Sequence, residues 1–222
     1  MMNILEMYNI YKRVGGEIVL RELNLVLREG VIIAVRGRSG VGKTTLAKIA
    51  SLISKPDDGI IRFMGVDTRG LRDDELSSLR LKYIGYIDQE CILLEKLTAW
   101  ENAEISLKLL GVEKILREKI LSELFELLGL KGLEMRRPDE LSGGQRQRIV
   151  LVRALSKRPK MLIADEPFAH LDDETIKIVM RVIRDMTRDI GMSTIITTTE
   201  LHTDLDVDED YILEIGFLRR RS

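Results

Sequence analysis

The sequence predicts an α/β fold with a largely parallel sheet, and three features support this prediction. Short apolar runs typical of buried strands alternate with segments of helical periodicity along the chain. A glycine-rich loop at residues 37–44 joins one apolar run directly to a helix, and another run ends in the acidic pair Asp165 and Glu166. Because parallel strands need crossover connections such as helices, the alternation favours a parallel sheet.

The remaining elements follow in chain order. Short strand-like runs lie between residues 4 and 27. Further strands are predicted at 31–35, 60–64, 83–87, 160–164, 193–198 and 211–215. Helices are predicted at 44–52, 73–81, 145–156 and 174–190. Between 97 and 130 the periodicity is helical, and Thr98 with Glu101 has capping-box spacing, so we interpret this stretch as a helical insertion.

Composition limits the class of protein. The 222 residues suit one compact domain, and 45% hydrophobic with 32% charged residues is typical of a globular chain. The 35 basic residues balance 36 acidic ones, which leaves a net charge of −1 and no overall basic footprint for nucleic acid. We therefore expect no nucleic-acid partner.

Cysteine usage and hydropathy predict the location. Cys91 is the single cysteine, so no internal disulfide can form, and no secretory signal is evident. No apolar run approaches the roughly 18 residues needed to cross a bilayer. These features favour a cytoplasmic protein that acts at a membrane through a partner or from the surface.

Residues 37–44 form the clearest motif. They read GRSGVGKT, a full match to the phosphate-binding loop G-x-x-x-x-G-K-[ST]. Glycines let the backbone approach phosphate closely, and successive N–H groups form an anion nest at a helix N-terminus. Lys43 would reach the β- and γ-phosphates, and the Thr44 hydroxyl would ligate Mg²⁺. The predicted ATP-binding residues of this loop are Gly37, Arg38, Ser39, Gly40, Val41, Gly42, Lys43, Thr44 and Thr45.

Asp165 and Glu166 complement this loop. Phosphoryl transfer needs Mg²⁺ beside the β,γ-oxygens and a water aimed in line at the γ-phosphorus. Asp165 suits the metal, directly or through water, and Glu166 suits the general base that polarises the water. Alone, the pair is equally well explained as solvated acids that end a strand. Behind a phosphate loop, the catalytic interpretation is favoured.

A second motif points to a family. Residues 141–145 read LSGGQ and lie between the phosphate loop and the acidic pair, and in this order the chain resembles the ATP-binding-cassette (ABC) ATPases over nearly its whole length. The resemblance implies one domain, residues 1–222, of the P-loop NTPase (RecA-like) fold. It would have a mostly parallel core sheet, an N-terminal antiparallel β-subdomain and a helical insertion subdomain. The core lobe would span about 1–88 and 157–222, and the helical subdomain about 89–156.

The resemblance also implies cofactors and partners. In a head-to-tail dimer, the signature of one subunit closes on the γ-phosphate held by the other, with ATP and Mg²⁺ as cofactors. The signature residues are Leu141, Ser142, Gly143, Gly144 and Gln145. The second ABC subunit would be identical or different. Because the chain has one cassette and no spanning segment, separate transmembrane permease subunits are implied, with this chain on the cytoplasmic face of the membrane.

Three more positions take roles from the resemblance. Tyr11 stands where the family places an aromatic that stacks on adenine. Gln89 matches the glutamine that contacts Mg²⁺ and the attacking water and couples to the helical insertion. Asp172, in an AHLD sequence similar to the D-loop, would contact the opposite subunit. The implied catalytic residues are Lys43, Gln89 and Glu166, and the implied metal ligands are Thr44, Gln89 and Asp165.

Finer interpretations remain open at this point. Residues 79–110 most resemble the lipoprotein-release and macrolide-export group of the family. A soluble ABC switch in DNA repair or translation usually has a long coiled coil or two cassettes, and neither is present. One departure from the family's usual residues, at position 199, suggests a nucleotide sensor that does not hydrolyse ATP. Such a sensor would not need the full set of catalytic residues. LSGGQ disfavours a P-loop kinase or GTPase.

That departure lies at the switch position. The family usually has a histidine there, which contacts the γ-phosphate and orients the water, whereas this chain has Thr199, with His202 three residues later. Threonine donates one hydrogen bond but carries no positive charge. The sequence therefore predicts reduced hydrolysis with ATP binding largely retained.

Replacing Thr199 by histidine is expected to raise the rate of ATP turnover, because the imidazole supplies the contact that threonine lacks. Steady-state ATPase assays of Thr199→His beside the wild type measure this effect. Turnover that stays the same or falls would show that the threonine does not limit hydrolysis.

Overall fold

Two sheets and six α-helices make up the computed structural model, which describes residues 2–201 and 204–221. The strands are β1 (Asn3–Val14), β2 (Glu17–Arg28), β3 (Ile32–Arg36), β4 (Asp58–Phe63), β5 (Val66–Asp67), β6 (Ile84–Ile87), β7 (Met161–Asp165), β8 (Ser193–Thr198), β9 (Glu209–Glu214) and β10 (Phe217–Arg220). The helices are α1 (Lys43–Ala50), α2 (Asp73–Tyr83), α3 (Ala99–Leu109), α4 (Lys114–Leu127), α5 (Gly143–Leu155) and α6 (Asp173–Ile190).

The larger sheet confirms the predicted α/β fold. Its strand order is β10–β9–β3–β8–β7–β6, and every neighbouring pair except β9 with β10 is parallel. β3, β7 and β8 are buried along their whole length, because both faces of the sheet are covered. Ile33 packs in one core with α1 and the N-terminal sheet, and its neighbour Ile32 packs in a second core with α5 and α6.

The N-terminal sheet is antiparallel, in the order β2–β1–β4–β5. β1 and β2 are each 12 residues long and differ from the short runs that the sequence predicts between residues 4 and 27. The pairing of β1 with β2 shifts register between Met7 and Ile10, where Asn9 has a φ of 51°. Such a bulge changes which face the next residues occupy, so the alternation of a long strand is interrupted in the sequence.

The C-terminal end differs from the prediction of a last strand at 211–215. β9 is followed by a turn at Gly216 and then by β10, which pairs antiparallel with β9 at the sheet edge. β10 carries Arg219 and Arg220 and shows no hydrophobic alternation, which is why the sequence pattern missed it. Charged side chains on an edge strand discourage pairing with further strands.

The helical insertion is present as α3 and α4, and α5 follows it. Thr98 is the N-cap of α3: its hydroxyl accepts from the Glu101 N–H at 3.2 Å, and the Glu101 carboxylate accepts from the Thr98 N–H at 2.8 Å. The predicted capping box is therefore confirmed. Gly191 has a φ of 66° after α6 and is the C-cap predicted for that helix.

Asn102, fully buried in the first turns of α3, anchors the loop between β6 and α3. Its Nδ2 lies 3.0–3.1 Å from the carbonyl oxygens of Leu94, Leu97 and Thr98, and its Oδ1 accepts from the Leu94 N–H at 2.7 Å. A buried amide with these partners fixes the path of the loop that begins after β6 and carries Gln89.

Replacing Asn102 by alanine is expected to lower the free energy of unfolding by about 3 kcal/mol, because the Leu94 N–H and three carbonyl oxygens lose the partner that the buried amide provides. Asn24→Ala is the matched control, since Asn24 also bonds the backbone but is exposed, and its loss should cost less than about 1 kcal/mol. Urea unfolding measures both values. Equal losses would contradict the anchoring role of Asn102.

Candidate functional site

The phosphate loop connects the end of β3 to the start of α1 and requires glycine at two positions. Gly42 is the N-cap of α1 with a φ of 110°, and a Cβ there would lie 2.5 Å from a methyl carbon of Val19. A Cβ on Gly37 would lie 2.7 Å from the carbonyl oxygen of Leu213. Side chains at either position would therefore force the loop away from the strands that support it.

A cavity of about 230 Å³ opens in front of this loop. The first backbone N–H groups of α1 face outward from the helix N-terminus without intrahelical acceptors, so the cavity can hold an anion. Several residues that the sequence predicts to act together meet here. The lining residues are Val14, Val19, Ser39, Gly40, Gly42, Lys43, Thr44, Thr45, Gln89, Glu166 and Thr199.

Lys43 is the buried cation of this cavity, with 6% of its surface exposed. Its ammonium donates to the carbonyl oxygens of Gly37 at 2.9 Å and Arg38 at 3.1 Å. It also lies 3.2 Å from Oε1 of Glu166. The lysine side chain is therefore folded back over the loop and pairs with the carboxylate that follows β7, two strands away from β3 in the sheet.

Glu166 follows β7 with a φ of 50°, a left-handed conformation that is unfavourable for a residue with a Cβ. Its Oε2 accepts from the Thr199 N–H at 3.0 Å and from the Thr199 hydroxyl at 3.3 Å. The Glu166 N–H donates to the Thr197 carbonyl at 3.1 Å. The carboxylate is thus held between Lys43 and the residue that the sequence places at the switch position. His202 lies outside the described residues.

Asp165, the last residue of β7, is 1% exposed. Its Oδ1 accepts from the Thr197 hydroxyl, and its Oδ2 is buried without a hydrogen-bond partner among the described residues. A buried carboxylate oxygen needs a cation or a donor. No group of three or more His, Cys, Asp or Glu side chains in the described chain could hold a metal by itself. The arrangement therefore fits Mg²⁺, which binds through one or two carboxylates, waters and substrate phosphates.

Gln89 and Tyr11 differ in how closely they approach this cavity. Gln89 follows β6, is exposed and lines the cavity. Tyr11 lies on β1, where its carbonyl accepts from the Asp57 N–H at 2.8 Å, and it is not among the lining residues. β1 nevertheless contributes Val14 to the cavity wall. A role for Tyr11 in adenine binding stays a prediction.

The signature segment, residues 141–145, forms the N-terminus of α5. The Ser142 hydroxyl accepts from the Gln145 N–H at 3.2 Å, and the Gln145 side chain accepts from the Ser142 N–H at 2.9 Å. A Cβ on Gly144 would lie 2.8 Å from the carbonyl oxygen of His170, so this glycine allows close packing on the segment before α6. None of residues 141–145 lines the phosphate-loop cavity of the same chain.

Asp172 is the N-cap of α6. Its Oδ1 accepts from the Thr175 N–H at 2.8 Å, and this backbone hydrogen bond lowers the pKa of the Asp172 carboxyl below its ordinary value. The Asp172 side chain caps the helix and is also exposed at the surface. A contact with an opposite subunit stays a prediction.

Gln147 is a site residue that the sequence reasoning missed. It is buried on α5, where its Nε2 donates to the Glu166 carbonyl at 3.2 Å and its Oε1 accepts from the His170 N–H at 3.3 Å. It therefore ties the helix that begins at the signature segment to the backbone on both sides of residues 167–169. Its position two residues after LSGGQ was a possible signal, but periodicity alone makes it an ordinary helix residue.

Comparisons with known proteins identify the family of this chain. Residues 20–169 match the family described as ABC transporter. Among curated proteins, the chain is similar to the methionine import ATP-binding protein MetN of Rhizobium etli, with 35% identity over 198 residues, 89% of this chain and 55% of the relative. MetN 1 of Burkholderia pseudomallei is 33% identical over 218 residues, 96% of this chain and 63% of the relative. The chain thus spans less than two thirds of these relatives.

Solved structures give the same family. The dimeric structure of a post-hydrolysis state of the ATP-binding cassette MJ0796 bound to ADP and Pi has a TM-score of 0.91 and 29% identity and covers 98% of both chains. An ATP-binding subunit of an ABC transporter, at 24% identity and a TM-score of 0.87, shares the fold. The matches do not confirm the finer resemblance to the lipoprotein-release and macrolide-export group, since these curated relatives are named for methionine import.

Replacing Gln147 by methionine is expected to lower both stability, by about 1–3 kcal/mol, and ATP turnover, because the Glu166 carbonyl and the His170 N–H lose their shared partner. Gln147→Glu keeps the acceptor for the His170 N–H but places a buried carboxylate against the Glu166 carbonyl, so it should cost at least as much stability as Gln147→Met. Urea unfolding and ATPase assays measure both variants. Wild-type turnover in Gln147→Met would rule out a role in the site.

Proposed function

We propose a function on the premise that this chain belongs to the ABC transporter family: it binds ATP with Mg²⁺ and hydrolyses it to power a membrane transporter. The observation that supports this most strongly is the meeting of Lys43, Glu166 and Thr199 at the phosphate-loop cavity. Phosphoryl transfer to water requires a cradle of donors for the phosphates and a carboxylate beside it, and this cavity has both.

The contacts of Lys43 suggest how ATP would engage the site. The triphosphate carries more negative charge than one carboxylate, so we expect the Lys43 ammonium to turn from Glu166 to the β- and γ-phosphates. Oε1 of Glu166 then becomes available to accept a proton from the attacking water. Oε2 remains on the Thr199 N–H, which keeps the carboxylate in its orientation.

Three residues would hold the metal. Thr44 and Gln89 line the cavity, and Asp165 supplies the buried oxygen that lacks a hydrogen-bond partner among the described residues. Mg²⁺, when bound, neutralises charge that develops on the β,γ-oxygens. The protein's part is to fix the hydroxyl, amide and carboxylate oxygens in place.

We propose that the complete site needs a second ABC subunit. The signature segment offers an exposed serine hydroxyl and the N-terminus of α5, yet it does not line the cavity of its own chain. A head-to-tail dimer would place it on the γ-phosphate of the other subunit, with Asp172 at the same interface. The structure of MJ0796, which is described as dimeric and bound to ADP and Pi, supports the formation of a dimer.

A membrane partner follows from the same family. No helix in residues 2–201 and 204–221 is long and apolar enough to span a membrane. We propose separate permease subunits, with this chain peripheral on the cytoplasmic face, since the curated relatives are import ATP-binding proteins. The proposed division of the chain is a core lobe of about residues 1–88 and 157–222 and a helical subdomain of about 89–156.

For the nucleotide itself, we propose that adenine would stack on Tyr11.

Replacing Glu166 by glutamine is expected to lower ATP turnover at least about 100-fold while ATP binding persists, because the amide cannot accept the proton from water. Wild-type turnover per subunit should rise with protein concentration, because the composite site forms only in the dimer. Mg²⁺-ATPase assays over a range of protein concentrations, with a separate nucleotide-binding measurement, test both points.

The exposed residue Glu123 provides a matched control, and Glu123→Gln should retain wild-type turnover. Turnover that persists in Glu166→Gln would contradict the assigned base. Turnover per subunit that is independent of concentration down to the lowest measurable level would contradict a dimer that forms during the cycle.

A further inference from the structure

Arg36 is a buried cation at the end of the central strand. It is the last residue of β3, follows a run of buried apolar residues and has 2% of its surface exposed. In the parallel sheet it lies level with Thr198 of β8 on one side and Ile212 of β9 on the other. A buried guanidinium is costly unless it is paired, so its partners indicate what it does.

The guanidinium of Arg36 joins two separate segments. Its Nε lies 3.0 and 2.9 Å from the two carboxylate oxygens of Asp210, and its Nη1 donates to the carbonyl oxygen of Glu200 at 2.6 Å. The planar guanidinium has donors in fixed directions. The pairing with Asp210 therefore sets the direction in which Nη1 reaches Glu200.

Hydrogen bonds hold one backbone carbonyl on each side of Thr199, and the Glu200 carbonyl is the one that follows it. The other is the Thr198 carbonyl, which accepts from the Gly37 N–H at 3.1 Å. The Glu200 N–H also donates to the Thr198 hydroxyl at 3.1 Å. The backbone of Thr199 is therefore held from both ends, and its N–H donates to Glu166 Oε2 at 3.0 Å.

We infer that Arg36 is a positioning residue for hydrolysis, which holds residues 198–200 so that the Thr199 N–H aims the Glu166 carboxylate. This inference rests on the proposed ATPase function. The aiming contact is a backbone N–H, which is present whatever side chain stands at position 199. Its placement therefore depends on the hydrogen bonds that hold residues 198–200, and Arg36 supplies one of these bonds after Thr199.

A comparison with Arg221 distinguishes this positioning role of Arg36 from that of a purely structural ion pair. Nη1 of Arg221 lies 3.2 Å from Oδ2 of Asp210, so Arg221 shares the acidic partner of Arg36. Its N–H donates to the Asp210 carbonyl at 2.7 Å, and within the described chain its hydrogen bonds go to Asp210 alone. Removing either arginine weakens the charge pairing of Asp210, but only the loss of Arg36 also removes a hydrogen bond to the Glu200 carbonyl.

The test compares Arg36→Met with Arg221→Met in two assays. In ATPase assays we expect kcat of Arg36→Met to fall on the order of tenfold or more, with the Kd for Mg-ATP within about twofold of wild type. In amide hydrogen exchange followed by NMR, we expect the Thr199 N–H to exchange at least about tenfold faster. Arg221→Met should match wild type in both, and buried amides of β7 report any general loosening.

Equal behaviour of the two variants would overturn the inference. A loss of ATP binding that accounts for the whole fall in ATP turnover of Arg36→Met would also overturn it. If Arg36→Met does not fold, the double variant Arg36→Met, Asp210→Asn is used instead, because it also removes the carboxylate that would be left paired with Arg221 alone. Arg36→Lys should recover little of the kcat, because one ammonium cannot reproduce the fixed donor directions. Exchange at Thr199 needs no nucleotide. A wild type without turnover would therefore overturn the proposed function, while the exchange result still decides whether Arg36 holds the segment.

Discussion

The Glu166 carboxylate has one oxygen beside the Lys43 ammonium and the other on the Thr199 N–H and hydroxyl, and the surrounding fold serves to keep these groups together. β3 leads into the loop that carries Lys43, β7 precedes Glu166, and β8 precedes Thr199. These strands are neighbours in the order β3–β8–β7. Because parallel strands end at the same sheet edge, residues distant in sequence meet there.

The charges of this edge suggest why the nucleotide would bind together with a metal. Glu166 pairs with the Lys43 ammonium, and Asp165 adds a second carboxylate at the end of β7, so these side chains would leave the charge of a bound triphosphate uncompensated. The N–H groups at the start of α1 add partial positive charge only. A divalent cation beside Asp165 would supply the remaining charge, and Oδ2 of Asp165, which has no hydrogen-bond partner among the described residues, is suited to receive it.

Much of this site could be predicted from the sequence, because its main parts are contiguous motifs. The phosphate loop and the Asp165–Glu166 pair each have a spacing that encodes a local geometry. The signature segment, which lies outside the cavity of its own chain, is recognised from its sequence in the same way. The structure also brings Thr199 into contact with Glu166. Gln147 and Arg36 could not be found in this way, since each bonds to backbone groups that are distant in sequence. A single sequence contains no record of such pairings.

The helices and strands also differ in how well the sequence predicts them, because only local patterns can be recognised in a single sequence. Helix ends with a side-chain cap, as at Thr98, and strands with continuous apolar runs, such as β3 and β7, are predicted close to their observed bounds. The bulged strands β1 and β2 are not, because a register shift interrupts their alternation. The edge strand β10 has no hydrophobic pattern from which it could be predicted. It pairs with β9, and its charged side chains discourage pairing with any further strand.

The measurement that tests the composite site most directly is complementation between two inactive variants. Lys43→Ala removes the phosphate-binding lysine, and Ser142→Arg blocks the signature segment. If each site combines the loop of one subunit with the signature of the other, each variant alone is inactive, and an equal mixture recovers up to about a quarter of wild-type turnover, because mixed dimers contain one intact site. No recovery in mixtures shown to contain mixed dimers, or full activity of Ser142→Arg alone, would contradict the account.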